Sequence, residues 1–327
     1  MTSTSDKSPS DKGGHDIDNG FRRTDPYGLH MEPTYSGATS FMRRKYSRDL
    51  DGIDVAVTGV PLDTATTNRP GTRFGPRAIR TESSNIAWAR PYNWDFEPFE
   101  KLAVVDYGDC YFDHGHLKDV PAAIEAHIAE ILDAGTAALT LGGDHFLTYP
   151  VIRAHAAKHG PVALVQFDAH TDTWHDEDQT RIDHGTMFYH AVQDGTIDPE
   201  VSVQVGIRTY NSDTLGITVV DANAVHENGP KAAAARIREV VGDRPVYLTF
   251  DIDCLDPAFA PGTGTPVIGG LTPYQAMTTL REMAGINLVG MDVVEVSPPF
   301  DVAGVTALAG ATLAYEMLAL YCYAQKS

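Results

Sequence analysis

Three apolar runs in this chain each stop at a cluster of metal-type side chains, and this repetition constrains the fold more than any bulk property does. Leu139-Thr140-Leu141 leads into Gly-Gly-Asp-His at 142–145, Val165-Gln166-Phe167 into Asp-Ala-His-Thr-Asp at 168–172, and Leu248-Thr249-Phe250 into Asp-Ile-Asp at 251–253. Asp168, His170 and Asp172 alternate along the chain, as do Asp251 and Asp253. A strand sends alternate side chains to one face, so each stretch is expected to aim its ligands at one point. With His145 the set comprises four carboxylates and two imidazoles. That is enough to hold two divalent cations of the Mn/Ni/Co/Zn type with shared carboxylate bridges. One Asp-x-His is common by chance; three clusters behind three apolar runs are not. The residues point to a dinuclear metal hydrolase.

Strand and helix signals alternate. Strands are predicted over 55–60, 103–106, 137–141, 162–167, 201–205, 246–250 and 288–294. Helices are predicted over 121–134, with Ile124, Ile128, Ile131 and Leu132 on one face and Gly135 closing it, and over 231–241 and 307–323. Thr272-Pro273 reads as an N-cap followed by proline in the first turn of another helix, reaching about residue 284. Apolar strands separated by helices imply an α/β fold: three α/β/α layers around a mainly parallel sheet. Ligands in such sheets bind beyond the carboxyl ends of the strands, where the three clusters lie. The 327 residues are read as a tail over 1–35 and a single catalytic domain over 36–327.

Composition suits a soluble enzyme. Hydrophobic content is 43%, with no run near the roughly 18 apolar residues that span a bilayer. The polar first twenty residues lack a signal core, so the tail reads as disordered or extended and secretion is not indicated. Cys110, Cys254 and Cys322 form no even framework, which fits the cytoplasm. Cys254 reads as a buried small side chain rather than a ligand. A net charge of −19 argues against nucleic acid or an anionic membrane as partner and favours a cationic substrate.

Two further positions supply chemistry that metals cannot. His184, in Asp-His-Gly-Thr at 183–186, can carry a proton between a nucleophile and a leaving amine. Glu295 follows the apolar run 288–294 and can accept a planar guanidinium in bidentate fashion. On spacing alone, both also suit ordinary surface positions.

These motifs resemble the ureohydrolases, the family of arginase, agmatinase and their relatives. The likeness rests on Gly-Gly-Asp-His, Asp-Ala-His-Thr-Asp-Thr, His-Gly-Thr-Met-Phe and the long run Phe-Asp-Ile-Asp-Cys-Leu-Asp-Pro-Ala-Phe-Ala-Pro-Gly-Thr-Gly-Thr-Pro. It covers nearly everything from Ser36 onward, and residues 245–295 are especially similar to bacterial agmatinases. The resemblance implies a two-metal centre, manganese first and nickel second, and hydrolysis of a guanidine to urea plus an amine. It places His145 and Asp172 on one metal, His170 and Asp253 on the other, and Asp168 and Asp251 between them. It makes His184 the proton shuttle and Glu295 the guanidinium carboxylate, with Asp253 also accepting a hydrogen bond from the nucleophile. It also implies a homo-oligomer, a trimer or hexamer.

Substrate is the least constrained feature. The loop after Asp172 carries Asp176, Glu177 and Asp178, which suit the ammonium tail of agmatine, and it lacks the Asn/Ser-type segment by which arginases hold a carboxylate. Trp174 stands where agmatinases commonly have Tyr, the loop is longer than theirs, and Arg181 suits a guanidino acid instead. The favoured reading is agmatine to putrescine. The alternative is a sibling enzyme acting on 4-guanidinobutyrate, 3-guanidinopropionate, an alkylguanidine or a biguanide such as metformin. A catalytically silent metal-binding subunit is disfavoured because every expected ligand is present.

Overall fold

The computed structural model describes residues 33–325 apart from 38, 89 and 179, together with 23–25 and 28–30. The tail expected over 1–35 lies largely outside the described residues. Its described part includes a small antiparallel pair, β1 (Arg23–Asp25) and β2 (Gly28–His30). The strands that follow are β3 (Lys45–Tyr46), β4 (Val55–Val60), β5 (Val104–Asp109), β6 (Ala137–Gly142), β7 (Ala163–Phe167), β8 (Val203–Val205), β9 (Thr218–Val220), β10 (Val246–Asp251) and β11 (Leu288–Val294). They form one nine-stranded sheet in the order β3-β5-β4-β6-β11-β10-β7-β8-β9, parallel throughout.

The helices are α1 (Gly75–Ser83), α2 (Val120–Asp133), α3 (Thr148–His159), α4 (Met187–Gln193), α5 (Ala222–Asn228), α6 (Pro230–Val241), α7 (Pro273–Glu282) and α8 (Val305–Ala324). Strand alternation sorts them into two layers. Val55, Val57, Leu139, Leu141, Val165 and Phe167 pack with α1 and α5 to α8, whereas Ala56, Val60, Ala138 and Leu164 pack with α2 to α4. The expected three-layer α/β/α architecture is what forms.

All seven predicted strands are present. The short strands β3 and β9 lie at the sheet edges and offered too few residues to show alternation. Strand β8 starts two residues later than expected because Pro199 opens a 3-10 turn over Pro199–Val201. Helices α1 and α3 escaped the sequence reading because Pro76 and Pro150 look like breakers. Both sit in a first turn, where a missing N–H costs nothing. The predicted N-cap of α7 is a full capping box: Gln275 N donates to Thr272 Oγ1 at 3.2 Å, and Thr272 N to Gln275 Oε1 at 2.9 Å.

One departure concerns length. Helix α8, at 20 residues, is apolar and long enough to cross a bilayer, contrary to the expectation of no such run. Its apolar window is 72% buried against the sheet and neighbouring helices, so here it serves as a core helix.

Chain order creates the crevice. After β6 the chain skips two positions to lay down β7, and β10 and β11 return later to fill the gap. The carboxyl ends of these four central strands therefore converge from distant parts of the sequence.

Candidate metal centre

Residues from the ends of β6, β7 and β10 meet in one buried cluster. His145 Nδ1 lies 3.1 Å from Asp168 Oδ2, 3.0 Å from Asp172 Oδ2 and 3.3 Å from Asp251 Oδ2. His170 Nδ1 lies 3.1 Å from Asp253 Oδ2 and 3.4 Å from Asp168 Oδ1. Asp168 belongs to both groups, so its two oxygens face the two imidazoles. Among the described residues, His145 Nδ1 is a buried nitrogen with no hydrogen bond of its own.

Strand alternation, from which this clustering was expected, is not what produces it. Strand β7 stops at Phe167 and β10 at Asp251, so most of the ligand-type residues lie in the turns beyond. Those turns are folded by the carboxylates themselves: His170 N donates to Asp168 Oδ1 at 2.6 Å and Asp253 N to Asp251 Oδ1 at 2.8 Å. Asp172 adopts φ of 53° and Glu295 of 62°, left-handed conformations that non-glycine residues rarely take and that concentrate at functional sites. Gly143 has a steric reason: a Cβ there would overlap the main chain of Leu62.

The electrostatics ask for cations. Burial, then repulsion from Asp168, pushes Asp172 up to about 7. Burial and neighbouring carboxylates also raise Asp251 and Asp253. Burial alone would depress His170, but Asp253 and Asp168 lift it to about 12. Oxygen and imidazole donors crowded under such charge stress fit two hard-to-borderline divalent ions. Cys254 is fully buried with Sγ near Val205 O at 3.6 Å, as a small packing side chain would be.

Glu295 and His184 stand beside this cluster. Glu295 Oε1 accepts from His145 N at 2.8 Å and pairs with His184 Nδ1 at 3.0 Å, while Oε2 is buried without a partner. A Cβ at Gly264 would come within 3.2 Å of Oε2, so glycine there leaves that oxygen room. Burial would lower the His184 pKa, but Glu295 raises it to about 9. His184 Nε2 meets Thr67 Oγ1 at 2.9 Å and Thr67 N at 3.2 Å.

A cleft of about 400 Å³ opens over the cluster, lined among others by Thr67, His170, Trp174, Arg181, Asp183 and His184. Trp174 and Arg181 are thus brought to the site. Asp176 is not among the lining residues; its carboxylate lies 3.7 Å from Arg181 and 4.0 Å from buried His190, and Glu177 and Asp178 are exposed. Several site residues went unread in the sequence: Asp183, which pairs with Arg181 at 2.5 Å; Gln166, which donates to Asp168 Oδ2 at 2.8 Å; and Thr265, which donates to Asp253 Oδ2 at 3.2 Å. Gln166 had a signal, a polar residue inside an apolar strand.

The fold, the buried carboxylate–imidazole cluster and its crevice agree with a match of residues 53–319 to the arginase family, and the chain belongs to that family. Among its relatives is an agmatinase of Chromobacterium violaceum, 56% identical over 93% of this chain and 94% of that protein. A crystal structure of a hypothetical agmatinase from Burkholderia thailandensis is 55% identical, covers 95% of this chain and 99% of its own, and superimposes with a TM-score of 0.91. Proclavaminate amidino hydrolase from Streptomyces clavuligerus is 40% identical over 90% of this chain and 100% of its own, with a TM-score of 0.86.

Proposed function

We propose that this protein hydrolyses agmatine to putrescine and urea at a dinuclear metal centre. The observation that carries the reading is the cluster of buried His145, Asp168, Asp172, Asp251 and Asp253 with partly buried His170, beside the Glu295–His184 pair. It occurs in a chain 56% identical to an agmatinase over almost its whole length. His145 and Asp172 would hold one ion and His170 and Asp253 the other, with Asp168 and Asp251 between. Manganese is favoured and nickel fits the same donors. Bound there, two divalent cations supply the Lewis acidity that makes water a nucleophile near neutral pH.

The chain's own residues do the rest. A guanidinium N–H donates to the free Oε2 of Glu295, a single-oxygen contact rather than the bidentate clamp first expected, because Oε1 already holds two donors. This fixes the guanidinium carbon against the attacking water. Asp253 accepts a hydrogen bond from that water. The water's oxygen bonds to the guanidinium carbon, its protons reach the departing amine nitrogen by way of His184, and breaking of that C–N bond gives urea and putrescine.

A second reading has one observation in its favour. Arg181 lines the cleft and suits the carboxylate of a guanidino acid. Urea release from the metal-loaded protein, measured over agmatine, arginine, 4-guanidinobutyrate, an alkylguanidine and a biguanide, decides between them. Turnover of a guanidino acid without turnover of agmatine would refute the first reading and leave the chemistry standing. The exposed aromatics Trp88 and Tyr92 support assembly as a homo-oligomer, a trimer or hexamer, and the free cysteines support a cytoplasmic setting.

A further inference from the structure

A carboxylate outside the ligand-type cluster lies buried behind His145. Asp292, on β11, is fully buried and receives three hydroxyl groups: Thr148 Oγ1 at 2.9 Å, Tyr247 OH at 2.7 Å and Thr249 Oγ1 at 2.6 Å. Thr249 and Asp292 are direct partners across the parallel β10–β11 pair, and Tyr247 lies two residues earlier on the same face of β10. A carboxylate is expensive to bury, and three converging donors exceed what packing alone would call for.

Thr249 has a second contact, His145 Nε2 at 2.9 Å. A threonine hydroxyl has one proton, and here it points at Asp292. The oxygen of Thr249 can then only accept from His145, so the imidazole proton sits on Nε2. Nδ1, which faces Asp168, Asp172 and Asp251, is left with its lone pair.

We propose that Asp292 and Thr249 are positioning residues that set the tautomer of His145 and thereby the affinity of the metal it holds. The inference rests on the reading of His145 as a ligand. Fixing the second nitrogen of a ligating histidine in this way typically changes metal affinity 10- to 100-fold.

The test is calorimetric titration of metal-stripped full-length protein with Mn2+, alongside thermal midpoints. Thr249→Val is expected to weaken one of two binding events by about 10- to 100-fold, and Thr249→Ser to restore it. Tyr247→Phe removes a donor from Asp292 without touching His145. It is expected to lower the thermal midpoint while leaving both affinities within about threefold. Asp292→Asn provides a second route should Thr249→Val fail to fold. Its amide N–H would donate to Thr249, turn that hydroxyl toward His145 and move the imidazole proton to Nδ1, again weakening one event. Unchanged affinities in Thr249→Val or Asp292→Asn overturn the proposal, as do equal losses in Thr249→Val and Tyr247→Phe. A wild-type protein that binds no Mn2+ refutes the metal-centre reading instead.

Discussion

His184 and Glu295 are 111 residues apart in sequence, yet His184 Nδ1 lies 3.0 Å from Glu295 Oε1. The pair couples the group expected to move a proton to the group expected to hold the guanidinium. It forms because β11 delivers Glu295 to the centre of the sheet while the loop before α4 brings His184 over it.

If His184 passes the proton, His184→Ala should lower kcat on the order of 100-fold or more, the scale of acid–base catalysis. The content of bound metal should stay at the wild-type level. Steady-state urea release with elemental analysis of the same sample checks both, and full turnover would reduce His184 to a loop residue.

The active protein should carry about two divalent ions per chain, and chelation should remove activity reversibly. Asp168→Ala and Asp251→Ala should lose more metal than His145→Ala if, as proposed, each would lie between the two ions. Elemental analysis showing one ion or none in active protein would end the dinuclear assignment.

Selectivity should depend on Arg181 and Asp183, because they line the cleft and the Asp176-Glu177-Asp178 stretch does not. kcat/KM for agmatine should exceed that for arginine and 4-guanidinobutyrate by at least about tenfold, equivalent to about 1.4 kcal/mol. Arg181→Ala should widen this gap by removing a cation from the mouth, and added salt should narrow it. A narrower gap in Arg181→Ala would contradict the electrostatic account.

Acid should destabilise the fold through His155, away from the metal centre. Burial pushes its pKa down to about 4, with only Nδ1 bonded, to Val151 O at 2.9 Å. The unfolded chain binds that proton at its ordinary value near 6.5, so unfolding takes up a proton between these limits. Stability is therefore lost as pH falls from about 6.5 to about 4, by about 3 kcal/mol in all. Urea midpoints at pH 7 and pH 5 should differ less in His155→Asn than in the wild type, and equal differences would rule the group out.

Much of this was legible in the chain. Seven apolar runs mark seven of the nine strands of the sheet, since a strand buried on both faces must be apolar at successive positions. The ligand-type residues stand out because charge directly after such a run is costly without a purpose. Edge strands β3 and β9 and helices α1, α3, α4 and α5 were not legible, being too short to show a period or carrying a proline in the first turn.

The sequence by itself determined the layered parallel fold, the identity of the six ligand-type residues and the kind of chemistry they suit. These follow from periodicity and side-chain type, which are local properties. Only the tertiary structure decided that turns, not strand alternation, bring the ligands together, that Glu295 spends one oxygen on His145 and His184, and that Asp176 lies outside the cleft lining. The partnership of Asp292, Thr249 and His145 belongs to the same class. Each depends on the register of β10 against β11 and on where loops settle over the sheet, and those relations join residues that no local pattern connects.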